Sequence, residues 1–307
     1  PFIHIMWTGD KVVSDITHEG LEWVNKRIKR PCYVWWNFPV NDYCLAHLLM
    51  GPVYGLDKNT ASDMYAFVSN PMEFAEASKV ALWSVSQFTW NMDRFDPKQS
   101  WNTACESLVP EALDAFRLFC EHNADIGPNT WMFFREESFN SSDLISRFEQ
   151  SLSAGKYLKK EAFEITDLFI QIKKAPGIIK SSATNKQLIK EIDPWLTQTG
   201  NVGVAGIATM KMLDLADKHD TEGCRKAYKE VKEALNMIAV FSRPYRRGEQ
   251  DGIRSGSQVL LPFIRQMLQY VENSLLTDEK PKEVPEVLAG SKEMGELSCY
   301  CEDDVVG

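Results

Sequence analysis

The 307-residue sequence contains no run approaching the roughly 18 apolar residues that a membrane-spanning helix requires, and its start shows no basic stretch followed by an apolar run and a small-residue cleavage site. Cysteine is scattered. The seven residues Cys32, Cys44, Cys105, Cys120, Cys224, Cys299 and Cys301 show no CxxC spacing, and an odd number excludes a complete disulfide framework. The five histidines, His4, His18, His47, His122 and His219, form no ligand-spaced set, so no zinc site and no other cofactor is expected. Basic charge is in deficit, with 34 Lys and Arg against 43 Asp and Glu, a net charge of -9 and a pI near 5.2. No basic cluster interleaved with aromatics offsets this, so nucleic acid is not an expected partner. What is there is an ordinary share of apolar residues, 44%, enough to bury a core and to exclude disorder of the whole.

Residues 1 to about 95 alternate strand-like and helix-like segments, the pattern of βα units. Phe2 to Trp7 reads as a buried strand stopped by the turn-forming Thr8-Gly9-Asp10, and a helix with Leu21, Val24 and Ile28 on one face follows over about 18 to 29. A second strand runs from Cys32 to Phe38 and ends at Pro39, and a third from Met64 to Asn70 ends at Pro71, where a helix opens at Met72. All three carry polar residues at their C-terminal ends, where a (β/α)8 barrel keeps its active site. From about residue 72 only helical periodicity remains: Val109, Leu113, Phe116 and Cys120; Ile165, Leu168, Phe169 and Ile172; Tyr228, Val231, Leu235 and Ile238; Leu260, Ile264, Leu268 and Val271. The expected fold class is therefore α/β followed by all-α, with units at 1–95, 96–276 and a linker or tail at 277–307. The chain opens on Pro1 directly in a strand-like segment, so the beginning of the protein is expected to lie upstream.

The most informative segment is Trp35-Trp36-Asn37-Phe38-Pro39-Val40-Asn41-Asp42. Adjacent residues of a strand point to opposite faces, so one tryptophan is expected to face a lumen and the other to pack outward. An aromatic wall beside Asn37 and Asp42 suits a pyranose, whose C–H faces are apolar and whose hydroxyls need directional partners. Core tryptophans with Asn37 and Asp42 as turn or cap residues would produce the same pattern. Asn70-Pro71 is open to a turn reading in the same way.

Thr8-Gly9-Asp10-Lys11-Val12-Val13, the Trp35–Asp42 segment and Ser69-Asn70-Pro71-Met72-Glu73 resemble three consecutive active-site segments of glycoside hydrolase family 84, in the family's order and spacing. The resemblance continues through His122–Pro128, Arg135-Glu136-Glu137-Ser138 and Asp193-Pro194-Trp195.

It implies the last three βα units of a (β/α)8 TIM barrel followed by a helical bundle, part of a retaining exo-β-N-acetylglucosaminidase whose substrate is terminal β-linked N-acetylglucosamine. It also implies substrate-assisted catalysis, with the 2-acetamido oxygen attacking the anomeric carbon and an Asp-Asp pair serving as acid and base. That pair belongs after the fourth barrel strand, upstream of these segments. The only adjacent pair here, Asp303-Asp304, lies in the acidic tail, where a solvated terminus is the expected role. By the same resemblance Asp42 accepts from the 4- and 6-hydroxyls, Asn70 binds the same end of the ring, and Asn37 contacts ligand or holds the catalytic pair. Trp35 then walls the acetamide pocket and Val12 lines the rim. The rival readings are a non-catalytic carbohydrate-binding module and a helical interaction module, and a homo-oligomer through the helical domain is also open to the chain. By family analogy alone, a secreted or periplasmic location is expected.

Overall fold

The structure, a computed structural model, describes residues 3–126, 136–241 and 252–275. The tail from 277 with Asp303-Asp304, and Gly127, Pro128 and Arg135, lie outside the described residues. Three strands, β1 (Met6–Trp7), β2 (Cys32–Trp36) and β3 (Met64–Ser69), form one parallel sheet in the order β1-β2-β3. Between β1 and β2 lies α1 (His18–Ile28), capped by Thr17 and packed through Leu21 and Val24. No helix joins β2 to β3; that crossover, interrupted by Pro39 and Pro52, holds only a 3-10 turn at Lys58–Thr60.

The expected buried strand over 2–7 is in fact a two-residue strand, with Met6 56% exposed and Ile3 60% exposed. It pairs with β2 alone, so among the described residues its outer edge has no strand partner.

Beyond β3 the described residues are helical: α2 (Ala75–Trp90), α3 (Pro97–Leu108), α4 (Leu113–Glu121), α5 (Ser142–Ser153), α6 (Lys159–Ser182), α7 (Lys186–Asp217), α8 (Thr221–Phe241) and α9 (Leu260–Leu275). The helix after β3 opens at Ala75 rather than Met72. Phe74 in the N-cap position offers no side-chain acceptor, and the carboxylate of Glu191 on α7 takes the amides of Glu76 and Ala77, at 2.8 and 3.1 Å. The periodic set Val109 to Cys120 is split, because Val109 caps α3 and Pro110, lacking an N–H, starts a new turn.

Two apolar cores result. The first unites the sheet with α1 to α4, and also takes Ile179 from α6 and Leu188, Ile192, Trp195 and Leu196 from α7. The second lies among α5, the first half of α6, the second half of α7, α8 and α9. Two glycines let α6 and α7 approach closely: a Cβ on Gly203 would sit 2.5 Å from the backbone nitrogen of Lys173, and one on Gly206 would sit 2.0 Å from the Phe169 ring.

Candidate carbohydrate site

The C-terminal ends of the three strands converge on one hydrogen-bonded group. Asn37, the residue after β2, accepts at Oδ1 from the indole N–H of Trp35 at 2.9 Å and from Nδ2 of Asn70 at 3.1 Å. Its own Nδ2 donates to the carbonyl of Val12 at 2.8 Å. Four of the five residues singled out from the sequence, Val12, Trp35, Asn37 and Asn70, are thus wired together. This leaves Asn37 little spare capacity, whereas the Oδ1 of Asn70 receives no bond within the group.

Strand alternation explains the aromatic pair. Trp36 is fully buried against Phe38 and Phe67, with ring centroids 5.1 and 5.9 Å away, while Trp35 on the opposite face is 38% exposed beside the half-buried Asn37. Asn70 is not a turn residue. Its N–H donates to the carbonyl of Trp36 at 2.9 Å and its carbonyl accepts from Val40 at 2.8 Å, prolonging the β2–β3 pairing past the end of the strands. Ser69 helps by donating its hydroxyl to the carbonyl of Phe38 at 2.5 Å, and the Phe38-Pro39 peptide is cis.

Asp42 stands apart. It is exposed in a turn and makes no hydrogen bond or ion pair among the described residues. Its neighbour Asn41 does the structural work, buried and donating to the carbonyl of His47 at 2.8 Å. The loop behind them is gripped by the helical region: Trp195 and the backbone N–H of Arg254 both donate to the carbonyl of Ala46, and Trp101 donates to that of Met50. Burial, with Arg254 nearby, holds the His47 imidazole down at about 3, so it stays neutral.

The described residues of the segments from 122 onward serve packing. His122 donates or accepts at 2.8 Å with the Ser138 hydroxyl, and burial holds its imidazole at about 3. Trp195 fills the first core and Asp193 pairs with Lys180 at 2.6 Å. Among the described residues no three His, Cys, Asp or Glu side chains gather as a metal would require, and no helix is long and apolar enough to cross a membrane.

Residues 1–121 match a family model described as beta-N-acetylglucosaminidase, and residues 137–268 one described as "Bacterial GH84, post-catalytic domain", which places the chain among the glycoside hydrolases. The protein O-GlcNAcases of Rattus norvegicus and Mus musculus are each 37% identical over 91 residues, 29% of this chain and 10% of theirs. Among solved structures, CpGH84D is 27% identical with a TM-score of 0.82, covering 91% of this chain and 46% of its own. CpGH84B is 25% identical with a TM-score of 0.78, covering 86% and 45%. A mutant of the Thermobaculum terrenum O-GlcNAc hydrolase, at 23% identity and a TM-score of 0.75 over 92% of this chain, shares the fold. The chain belongs to glycoside hydrolase family 84. It spans about a tenth of the curated relatives and 45 to 59% of the solved ones.

Proposed function

We propose that this chain supplies the sugar-binding side of a retaining exo-β-N-acetylglucosaminidase of the O-GlcNAcase type. Its three strands correspond to the last three βα units of a (β/α)8 barrel, the middle one with a loop and a 3-10 turn in place of its helix, and the acid/base pair comes from elsewhere in the full-length protein. The observation that carries this reading is the Val12–Trp35–Asn37–Asn70 group, assembled by three parallel strands at the ends where such a barrel performs its chemistry.

Each side chain then has a chemical task. Trp35 offers an apolar wall to the acetamide end of the sugar. Asp42, with both carboxylate oxygens unspent, accepts from the 4- and 6-hydroxyls, and the free Oδ1 of Asn70 accepts beside it. A sugar substituted at those hydroxyls loses the donors both groups need, which makes the site exo-acting. Asn37 holds Trp35, Asn70 and Val12 in mutual register. The chemical steps follow the substrate-assisted course: the 2-acetamido oxygen attacks the anomeric carbon as an external acid protonates the leaving oxygen, and water then reopens the cyclic intermediate with retention.

The test is turnover of an aryl β-N-acetylglucosaminide. The full-length protein should hydrolyse it and lose activity on Asp42→Ala, while the 307-residue chain alone should stay at the no-enzyme blank. Inhibitor-sensitive turnover by the chain alone would show that the acid and base lie within it.

A further inference from the structure

We propose that Trp36, buried and turned away from the pocket, is a positioning residue for the pocket's rim. The inference rests on the functional reading above, because it assigns the loop carrying Val12 to that rim. The loop spans residues 8–15, between β1 and α1, and Val12 stands 59% exposed upon it.

Two successive residues of one strand end grip alternate carbonyls of this loop. The indole N–H of Trp36 donates to the carbonyl of Ser14 at 2.8 Å, and the Nδ2 of Asn37 donates to that of Val12, also at 2.8 Å. Between them Val13 is 1% exposed, so its side chain is drawn inward while Val12 is presented outward. The two grips are unequal. Asn37 divides its amide among three partners at the half-exposed surface, whereas the Trp36 ring is immobilised on every side by Phe38, Phe67 and the first core. Its N–H is therefore a donor fixed in space, and the loop must come to it.

The base of the loop is secured independently. Ile16 pairs with the 55–57 segment, its N–H donating to Gly55 at 2.8 Å and its carbonyl accepting from Asp57 at 3.0 Å. Gly55, at φ +86°, leaves room for Asp15, whose Oδ1 would lie 1.9 Å from any Cβ there. Within the stretch from 9 to 14 the Thr8 hydroxyl donates to the carbonyl of Lys11 at 3.5 Å, and the clamp of Trp36 and Asn37, with Trp36 as its rigid half, ties the stretch to the end of β2.

The loop carries its own reporter, the exposed Lys11. Trypsin can cut after Lys11 only when the loop lifts, so mass-spectrometric timing of that cut measures the clamp on the chain as it stands. Trp36→Phe keeps an aromatic ring and removes the donor. The cut after Lys11 should quicken about 3- to 10-fold, while cuts after Lys26 and Arg27 on α1 keep their rates. In the full-length protein the same substitution should raise KM for an aryl β-N-acetylglucosaminide by about 3- to 10-fold and leave kcat within about 2-fold.

An unchanged Lys11 cut at an unchanged thermal midpoint overturns the clamp. Equal acceleration at every site, with a lowered midpoint, also overturns it, by making Trp36 a core residue and nothing more. If the Lys11 cut quickens while KM holds, Trp36 fixes the loop but the loop is no rim, and the proposal fails while Asp42 and Asn70 keep their roles. If the full-length parent shows no turnover, it is the functional reading that fails, and the Lys11 cut still decides the clamp. Should Trp36→Phe not fold, benzothienylalanine at position 36, which replaces the N–H with sulfur at nearly constant shape, takes the same two readouts.

Discussion

Replacing Asp42 with alanine should separate stability from binding more cleanly than any other change in this site. The side chain is exposed and bonds to nothing among the described residues, so its removal leaves no buried group unsatisfied and opens no cavity. Surface changes of that kind fall within about 0.5 kcal/mol, and the denaturant midpoint and slope of the chain should both hold. Catalysis should respond quite differently. Charge-assisted hydrogen bonds to substrate hydroxyls are worth about 1.5 to 3 kcal/mol, so kcat/KM on an aryl β-N-acetylglucosaminide should fall about 10- to 150-fold in the full-length protein. The contrasting control is Asn37→Ala, which strips three bonds from neighbouring elements. With water replacing part of that loss at a half-exposed site, it should cost the chain about 1 to 2 kcal/mol. Undiminished kcat/KM in a folded Asp42→Ala protein would refute the pocket assignment, and a stability loss above about 1 kcal/mol would show that Asp42 is a structural residue after all.

Asn70→Ala should weaken catalysis in the same direction but more mildly, because a neutral bond contributes only about 0.5 to 1.5 kcal/mol; a larger loss than Asp42→Ala shows would reverse their assigned weights. Gly206→Ala should destabilise by about 1 to 3 kcal/mol through its collision with the Phe169 ring, whereas Gly177→Ala, exposed on α6 with nothing within 4 Å, should stabilise by about 0.5 to 1 kcal/mol; urea midpoints of the two decide this. His47 and His122 are both held at about 3 in the folded chain against about 6.5 when unfolded. The unfolded state therefore binds more protons below about 6.5: their contribution is complete above that pH and is withdrawn on acidification toward about 3, by about 1.4 kcal/mol per pH unit for each histidine. Burial lifts Glu137 well above its usual range and so works in the opposite sense; His122→Gln should make the measured fall between pH 6.5 and 4.5 shallower. A fragment of residues 137–275 should keep a helical spectrum yet bind a hydrophobic dye, since it bares Ile179, Leu188, Ile192 and Trp195; a dye-silent monomer would show that the second core closes on itself.

Local patterns made much of this legible in the sequence. Alternation tells that Trp35 and Trp36 face opposite ways, and the polar residues closing each apolar run mark the strand ends where the Val12–Trp35–Asn37–Asn70 group assembles. What escaped is what depends on backbone partners far along the chain. Nothing in the residue type of Trp36 points to the carbonyl of Ser14, and nothing in Phe74 says that its missing cap is supplied by Glu191, 115 residues downstream of Glu76. The apolar run at 2–7 promises a longer strand than the fold forms, because apolar composition signals burial only where a neighbour exists to provide it, and β1 has one on a single side among the described residues. Asp42 and Asn41 are equally polar in the sequence. Only the structure shows that one spends its side chain on the fold and the other keeps it free.

The 32-residue helix α7 has its first half in one core and its second half in the other. At about 1.5 Å per residue it is a beam of about 48 Å, and any change of its length between Leu196 and Val202 acts as a phase error. One inserted residue would turn everything beyond it by about 100° and advance it by about 1.5 Å. Gly203 and Gly206 would swing away from Lys173 and Phe169 while Trp195 stayed anchored on Ala46. Descendants of this chain are thus free to vary the surface of α7, whereas its residue count between the two cores is locked to the geometry of the loop behind Asp42 at one end and the helical unit at the other.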